Sequence, residues 1–361
     1  MQRIHFNAKA DSEFIKTLRV RVADYFKTNG ISRHANANMV IKTIFMILLY
    51  FIPFGFVLSP LSINPWIHLG LWFLMGLGTA GIGLSVMHDA NHGAYSKNQK
   101  VNLLVGYLVN FIGGNAATWR MQHNVLHHSF TNIDGHDEDI APPGVLRFSP
   151  HQKRKKIHRL QHWYAWFFYS LMTISWMTAK EFIQLFRYRK MGITKSEKLS
   201  FNQLFIELIF TKVFYLAYAL VLPLIFAPVA WYYVVIGFLI MHFLAGLLLA
   251  CVFQPAHVMP TTEFPLPDSK GAIDNNWAVH QLQTTTNYAP KSRWFGWYVG
   301  GLNFQIEHHL FPNICHVHYP KLSVIVQSTA EEYGLPYHTE RTFASALRSH
   351  MRMLRDLGRK D

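Results

Sequence analysis

The sequence predicts an all-α integral membrane protein: four transmembrane helices in two hairpins, under a cytoplasmic helical cap that holds a histidine-rich di-metal site. Three observations predict it. Four apolar runs, at about 39–59, 66–87, 204–227 and 229–253, each reach the roughly 20 residues that a membrane-spanning helix needs. The connections near Pro60 to Pro65 and near Pro228 contain no Lys or Arg, whereas the N-terminal segment, the middle segment and the C-terminal third hold every basic residue except Lys42 and Lys212. This positive-inside asymmetry puts both termini in the cytoplasm. Three clusters of histidine, each just outside a run or its interfacial neighbour, then fall on that same side.

The chain has 361 residues, of which 50% are hydrophobic and gathered in long runs, so one integral membrane unit spanning 1–361 is predicted over two or three soluble domains. No repeat or low-complexity tract divides it. A formal charge of +14 would suit a nucleic-acid binder, but no basic domain has its own fold pattern, and basic residues flanking apolar runs are what insertion requires. Anionic lipid headgroups are the counter-charge this reading implies, with no nucleic acid. Two cysteines, Cys251 and Cys315, lie far apart and suggest neither a disulfide framework nor a thiolate metal site.

Residues 1–38 spell an amphipathic helix through Phe14, Ile15, Leu18, Val22 and Phe26, expected to lie at the membrane interface. This segment carries acidic residues and no cleavage pattern, so it is not a signal peptide. The weaker runs at about 101–117 and 163–179 are read as interfacial helices or helices packed under the cap, with Trp163, Tyr164, Trp166 and Trp176 at headgroup level. A lone crossing at 163–179 would put the second and third histidine clusters on opposite sides. Pro255, Pro260, Pro265 and Pro267 break the chain after the fourth run into a loop. From Thr342, with Leu347, Met351 and Leu354 among arginines, a solvated or lipid-facing amphipathic helix is expected.

The clusters carry the chemistry. His123, His127 and His128 stand in His-Asn-Val-Leu-His-His; on a helix, the first two lie one turn apart with the third beside them. His88 and His92 stand in His-Asp-Ala-Asn-His, and Gln305, His308 and His309 in Gln-Ile-Glu-His-His. Such steps aim neutral ring nitrogens at one point, and an all-imidazole set suits iron, copper or zinc over magnesium or calcium. Seven clustered histidines suggest two metals. Asp89, Asn124, Asp134, Asp137, Asp139 and Glu307 are candidates to accept the other imidazole N–H bonds, and Trp119 and Asn303 are candidate neighbours. Scattered histidines, including His68, His151, His158 and His350, are read as structural.

In order and spacing these three motifs resemble the histidine boxes of the membrane fatty acid desaturases, over residues about 40 to 325. The stretch from Leu302 to Pro312 resembles the front-end desaturases in particular, whose third box begins with Gln. The resemblance implies a four-helix stem, a cytoplasmic cap and a di-iron centre. It implies that His88, His92, His123, His127, His128, His308 and His309 are iron ligands, and it adds His257, in Phe-Gln-Pro-Ala-His, as another. Gln305 is then a weak amide ligand, a holder of water or a support to its neighbours.

The activity so implied is the removal of hydrogen from adjacent methylenes of a fatty acyl chain, carried on coenzyme A or lipid, with two irons and dioxygen. No His-Pro-Gly-Gly motif of a fused cytochrome b5 domain occurs in the sequence. An external ferredoxin, or cytochrome b5 with its reductase, is therefore expected to supply electrons. The compartment would be the inner membrane of a bacterium or the endoplasmic reticulum of a eukaryote. A fatty acyl or lipid hydroxylase on the same scaffold is the nearest rival. A zinc protease built on His88 and His92 leaves the other boxes without a role. A histidine-rich metal transporter would need ionisable groups along the spans, which contain few.

Overall fold

The computed structural model describes residues 4–141 and 144–359. Its regular structure is almost all helical, and it divides into two compact units, each discontinuous in sequence. One is Ala37–Met121 with Trp166–Cys251; the other is Met1–Asn36, Gln122–Ala165 and Val252–Asp361.

The first unit contains most of the apolar helices. Among the described residues four helices are long and apolar enough to cross a membrane: Ala37–Val57, Pro65–Asn91, Phe201–Phe226 and Trp231–His257. The fourth has 27 residues, about 40 Å at the α-helical rise, enough for a hydrocarbon core with length to spare. Local chemistry sets their starts. Asn64 accepts from the amides of Trp66 and Ile67, with Pro65 at the first helical position, and Ser200 and Gln203 form a reciprocal capping box ahead of Phe201. Small residues let the backbones meet: a Cβ on Gly78 would lie 2.8 Å from the Tyr50 nitrogen, so the first two helices touch there. The Tyr50 and Tyr218 hydroxyls, 2.9 Å apart, link the first helix to the third. Ile41, Ile67, Ile206, Phe210, Ile225 and Trp231 remain exposed, an outward apolar surface of the kind that suits lipid.

Lys212, an exception to the charge asymmetry, is buried and explained by its partners. Its ammonium donates to the Gly113 carbonyl at 2.8 Å and pairs with Glu181, whose other oxygen accepts from the Asn115 amide. Burial still pushes the Glu181 carboxyl above the usual range, against the pull of Lys212.

The fourth helix differs from expectation at its end. It runs through Pro255 to His257 instead of stopping near 253. A proline in the last turn forfeits one backbone bond, a modest loss where the helix is ending and its neighbours are fixed by packing. The runs at 101–117 and 163–179 are broken into short helices, among them Gln99–Gly106, Leu108–Phe111, Gln161–Ser170 and Met172–Ser175.

In the second unit the N-terminal helix, Ser12–Asn29, buries Phe14, Ile15, Leu18 and Val22 as its pattern requires. Protein covers that stripe instead of lipid. It packs into a core with Leu322 and Val326 of the helix Tyr319–Glu332, together with Leu282, Ile306 and Leu310, so the interfacial placement expected for it is corrected. Two short parallel strand pairs interrupt the all-helical expectation: His5–Phe6 with Ala272–Ile273, and Thr286–Tyr288 with His338–Glu340. They satisfy backbone groups of otherwise irregular segments, and two or three residues are too few to show an alternating pattern. The helix Phe343–Leu357 begins at a Thr342 cap and buries Ala346, His350, Leu354 and Leu357.

Candidate metal centre

The second histidine cluster lies on a helix that is not a regular α-helix. Ala116–Arg120 passes into a π-helical stretch, Met121–His127, before His128–Phe130 closes the run. The wider π turn brings residues five apart together, and such turns recur at functional sites. His123 and His128 meet with their Nε2 atoms 3.2 Å apart, while the His123 and His127 rings stack with centroids 5.2 Å apart. The Nε2 of His308 lies 3.0 Å from that of His128. Ring nitrogens this close, in a buried site, require a shared proton or a cation between them.

The third cluster occupies the helix Gln305–Leu310, anchored by Ile306 and Leu310 in the core and by Asn287, whose Oδ1 accepts from the Ile306 amide at 2.9 Å. His309 belongs to two triads whose ligand atoms all lie within 4.8 Å: His127, His257 and His309, and His128, His308 and His309. His123, His127 and Asp139 form another group of this kind.

Each histidine of the first triad is held from behind. The Nδ1 of His127 lies 3.1 Å from both carboxylate oxygens of Asp137, that of His257 3.2 Å from the Thr284 carbonyl, and that of His309 2.8 Å from Gln281 Oε1. These are acceptors, so Nδ1 carries the proton and donates, leaving the Nε2 lone pair to face inward. The Nε2 atoms of His127 and His257 are buried without a hydrogen-bond partner. Burial opposes charge on His127, but Asp137 and then Asp139 outweigh it and lift its pKa to about 9, so at neutral pH Nε2 also carries a proton that a cation must displace to use the lone pair. Behind the second triad, the Tyr319 hydroxyl lies 3.4 Å from His308 Nδ1.

Asn132 ends the second-cluster helix in the left-handed conformation, with φ 59°, which Asn tolerates better than most residues. Its Nδ2 donates to the carbonyls of His257 at 2.8 Å and Glu263 at 3.1 Å, tying the fourth helix's end to the second cluster.

His88 and His92 lie in the other unit, at the end of the second apolar helix, beyond a π turn at Ile82–Val86. Their rings are 4.8 Å apart, and Trp119 packs its edge on both at 5.4 and 5.6 Å. Trp119 is thus a neighbour of the first cluster, as its sequence position suggested.

Of the acceptors expected from sequence, Asp137 and Asp139 face imidazoles, Asp139 at 3.4 Å from His127 Nδ1. Asp134 instead accepts from Gln152 at 3.1 Å, and Asn303 donates to the Ala289 carbonyl. Glu307 accepts from Asn287 and from the Tyr337 hydroxyl, each at 2.8 Å, and burial raises its pKa to about 7. Asp89 is buried in the other unit, and Asn124 is half-buried on the π turn. Gln281 and Thr284 were missed. Both sit on the helix Trp277–Thr284, whose Trp277 Nε1 also donates to the His128 carbonyl at 3.0 Å. The signal available was a short helix with His280, Gln281 and Thr284 buried among Ala278, Val279 and Leu282.

Gln305 is fully buried, and neither its Oε1 nor its Nε2 has a hydrogen-bond partner. A buried amide left so is costly, roughly 1–3 kcal/mol for each group, so its two atoms call for a polar partner such as a bound water or a cation. Imidazole lone pairs turned inward, carboxylates and carbonyls behind them, and an unsatisfied amide nearby together fit a transition metal with bound water.

The family model described as fatty acid desaturase matches residues 64–341, more than half of the chain. The chain belongs to the fatty acid desaturase family. Among curated relatives, a sn-1 linoleoyl-lipid 6-desaturase of Synechocystis sp. is 36% identical, over 99% of this chain and 98% of its own. A protein of the same description from Arthrospira platensis is 36% identical over 95% and 92%. An acyl-lipid (8-3)-desaturase of Physcomitrium patens is 35% identical over 97% of this chain and 73% of its own. The protein is an enzyme, a fatty acid desaturase, and the two triads that meet at His309 draw on its second and third boxes, with His257 added from the end of the fourth helix.

Proposed function

We propose that this desaturase is of the front-end type, acting on an already unsaturated acyl chain carried on membrane lipid, at two non-haem irons. The observation that carries the proposal is the pair of histidine triads overlapping at His309, with acceptors behind His127, His257 and His309. The named relatives act on acyl-lipids, one description specifying a linoleoyl chain, which favours a lipid carrier over coenzyme A.

His88, His92, His123, His127, His128, His257, His308 and His309 are assigned as iron ligands, and Gln305 as the amide that orients or binds in the remaining position. When bound, two irons would supply the oxidising power by which dioxygen, two electrons from a ferredoxin or cytochrome b5 and two protons take one hydrogen from each of two adjacent methylenes, leaving a double bond and two waters. The chain's own residues do the rest. Asp137, Gln281 and Thr284 hold three imidazoles in the ligating tautomer, and the buried core around Ile306 and Leu310 keeps bulk water from the third box. We assign the four apolar helices to two hairpins in one membrane domain. The basic segments, both termini and the histidine boxes are assigned to the cytoplasmic side, on the charge asymmetry.

The test is expression in a host fed saturated, monounsaturated and diunsaturated chains, with the new bond located by mass spectrometry and metal measured on the purified protein. A new double bond between an existing one and the carboxyl end, with about two irons per chain, is expected. Hydroxylated products, or efficient action on saturated chains alone, would overturn the front-end reading.

A further inference from the structure

Away from the histidine clusters, the second unit has a basic groove of about 410 Å³. Four arginines of the C-terminal segment line it: Arg348, Arg352 and Arg355, spaced so that they share one face of the helix, and Arg359 in the turn just beyond its end. Across from them are His162 and Trp163, at the start of the helix Gln161–Ser170.

The groove is built, not an accident of surface side chains. Gln161, fully buried, donates to the Leu354 carbonyl at 2.8 Å, and Arg147, also buried, donates to the Leu357 carbonyl at 2.6 Å. These bonds satisfy carbonyls in the last turn of the arginine helix and pin it to the segment that bears Trp163. Gly358 packs so tightly on His158 that a Cβ there would lie 2.0 Å from the His158 carbonyl oxygen. One carboxylate tempers the charge: Asp356 lies 3.7 Å from the Arg355 Nε. The neighbouring arginines close to His162 hold its imidazole below the usual range, after burial as the larger cause.

Next to the arginines the surface turns apolar. Trp163 is 69% exposed, Leu160 57% and Ile157 51%. Guanidinium groups suit phosphate oxygens, and a fringe of exposed Trp, Leu and Ile suits the acyl region just beneath them. A soluble acidic protein would match the charge, but its polar rim would leave that fringe in water. We propose that this groove binds the phosphate headgroup of an anionic membrane phospholipid and so seats this face of the unit on the bilayer. The proposal rests on the reading of the chain as a membrane protein, and not on the position or substrate of desaturation.

The test uses the full-length protein purified in detergent with equal amounts of phosphatidylglycerol and phosphatidylcholine, followed by native mass spectrometry of the retained lipid. Wild type is expected to retain phosphatidylglycerol preferentially. The double variant Arg352→Gln/Arg359→Gln is expected to lower that preference about tenfold, as loss of two cations near a phosphate predicts, while Arg341→Gln leaves it unchanged. Both are surface changes, and unchanged metal content and helical circular dichroism confirm that the variants fold. Equal retention by wild type and the double variant would overturn the proposal. So would displacement of the lipid by millimolar inorganic phosphate, which would mark a site for a soluble anion. Unchanged lipid retention with slowed electron transfer from an acidic ferredoxin would assign the groove to a protein instead.

Discussion

Replacing Asp137 by Asn changes one atom and tests the role given to the acceptors behind the imidazoles. The carboxylate is buried and makes four contacts: both oxygens lie 3.1 Å from His127 Nδ1, Oδ2 accepts from the Asn132 amide at 2.9 Å, and Oδ1 from the Asp139 amide at 2.9 Å. Asparagine has one oxygen and one NH2. Whichever way it turns, the NH2 faces a backbone N–H, so one bond is lost and two buried donors oppose each other, at about 1–3 kcal/mol of loop stability. His127 meanwhile loses the full negative charge that favours its ligating tautomer. Loss of such a partner lowers metal affinity about 10–100-fold, or about 1.4–2.8 kcal/mol. The assay is iron retained by purified protein across a series of chelator concentrations, with circular dichroism as a control for folding. Asp134→Asn is the matched control, since the Asp134 carboxylate accepts from Gln152 and faces no imidazole in the described contacts, and it should retain iron like wild type. Equal retention by Asp137→Asn and wild type would refute the reasoning.

Three further outcomes follow from other parts of the structure. Gln305→Ala removes the buried amide without touching an imidazole, so iron content should stay near wild type while turnover falls at least tenfold; parallel loss of iron and turnover would make Gln305 a principal ligand. Lys212→Met strands the buried Glu181 carboxylate and should cost about 3–5 kcal/mol, read as a fall in melting temperature, and a tolerated substitution would show that water reaches the pair. Burial holds His350 at a pKa of about 4, below its ordinary value, with its Nδ1 bonded to the Val258 carbonyl. The unfolded chain therefore binds the extra proton first, and stability should fall as pH drops from about 6.5 towards 4, by up to about 3 kcal/mol from this group. Melting curves between pH 7 and 5 should show a smaller acid-induced loss in His350→Gln than in wild type.

The apolar helices were legible because a span carries its own signal: run length alone located all four to within a few residues. The end of the fourth was not, since Pro255 reads as a breaker until packing shows that one lost backbone bond is affordable there. The histidines were legible by spacing, yet the i, i+4 pairing understated the geometry, because a π turn makes His123 and His128 the closer partners. Gln281 and Thr284 were invisible for a different reason. Their role depends on contacts to His309 and His257 across more than 25 residues of chain, and a buried Gln or Thr on a short helix has no periodic signature. The N-terminal helix shows the same limit: its apolar stripe was correctly read, but a stripe does not say whether lipid or the helix Tyr319–Glu332 will cover it.

His309 stands in both triads, and this has a consequence for the order in which cations load. Its Nδ1 is committed to Gln281, so a single lone pair remains, and one lone pair serves one cation at a time. The first ion to arrive takes that nitrogen; the second finds His128 and His308 and must complete its coordination from elsewhere. Metal titration of the stripped protein should therefore show two unequal steps. A His309→Ala variant should lose the tighter step and keep the weaker one.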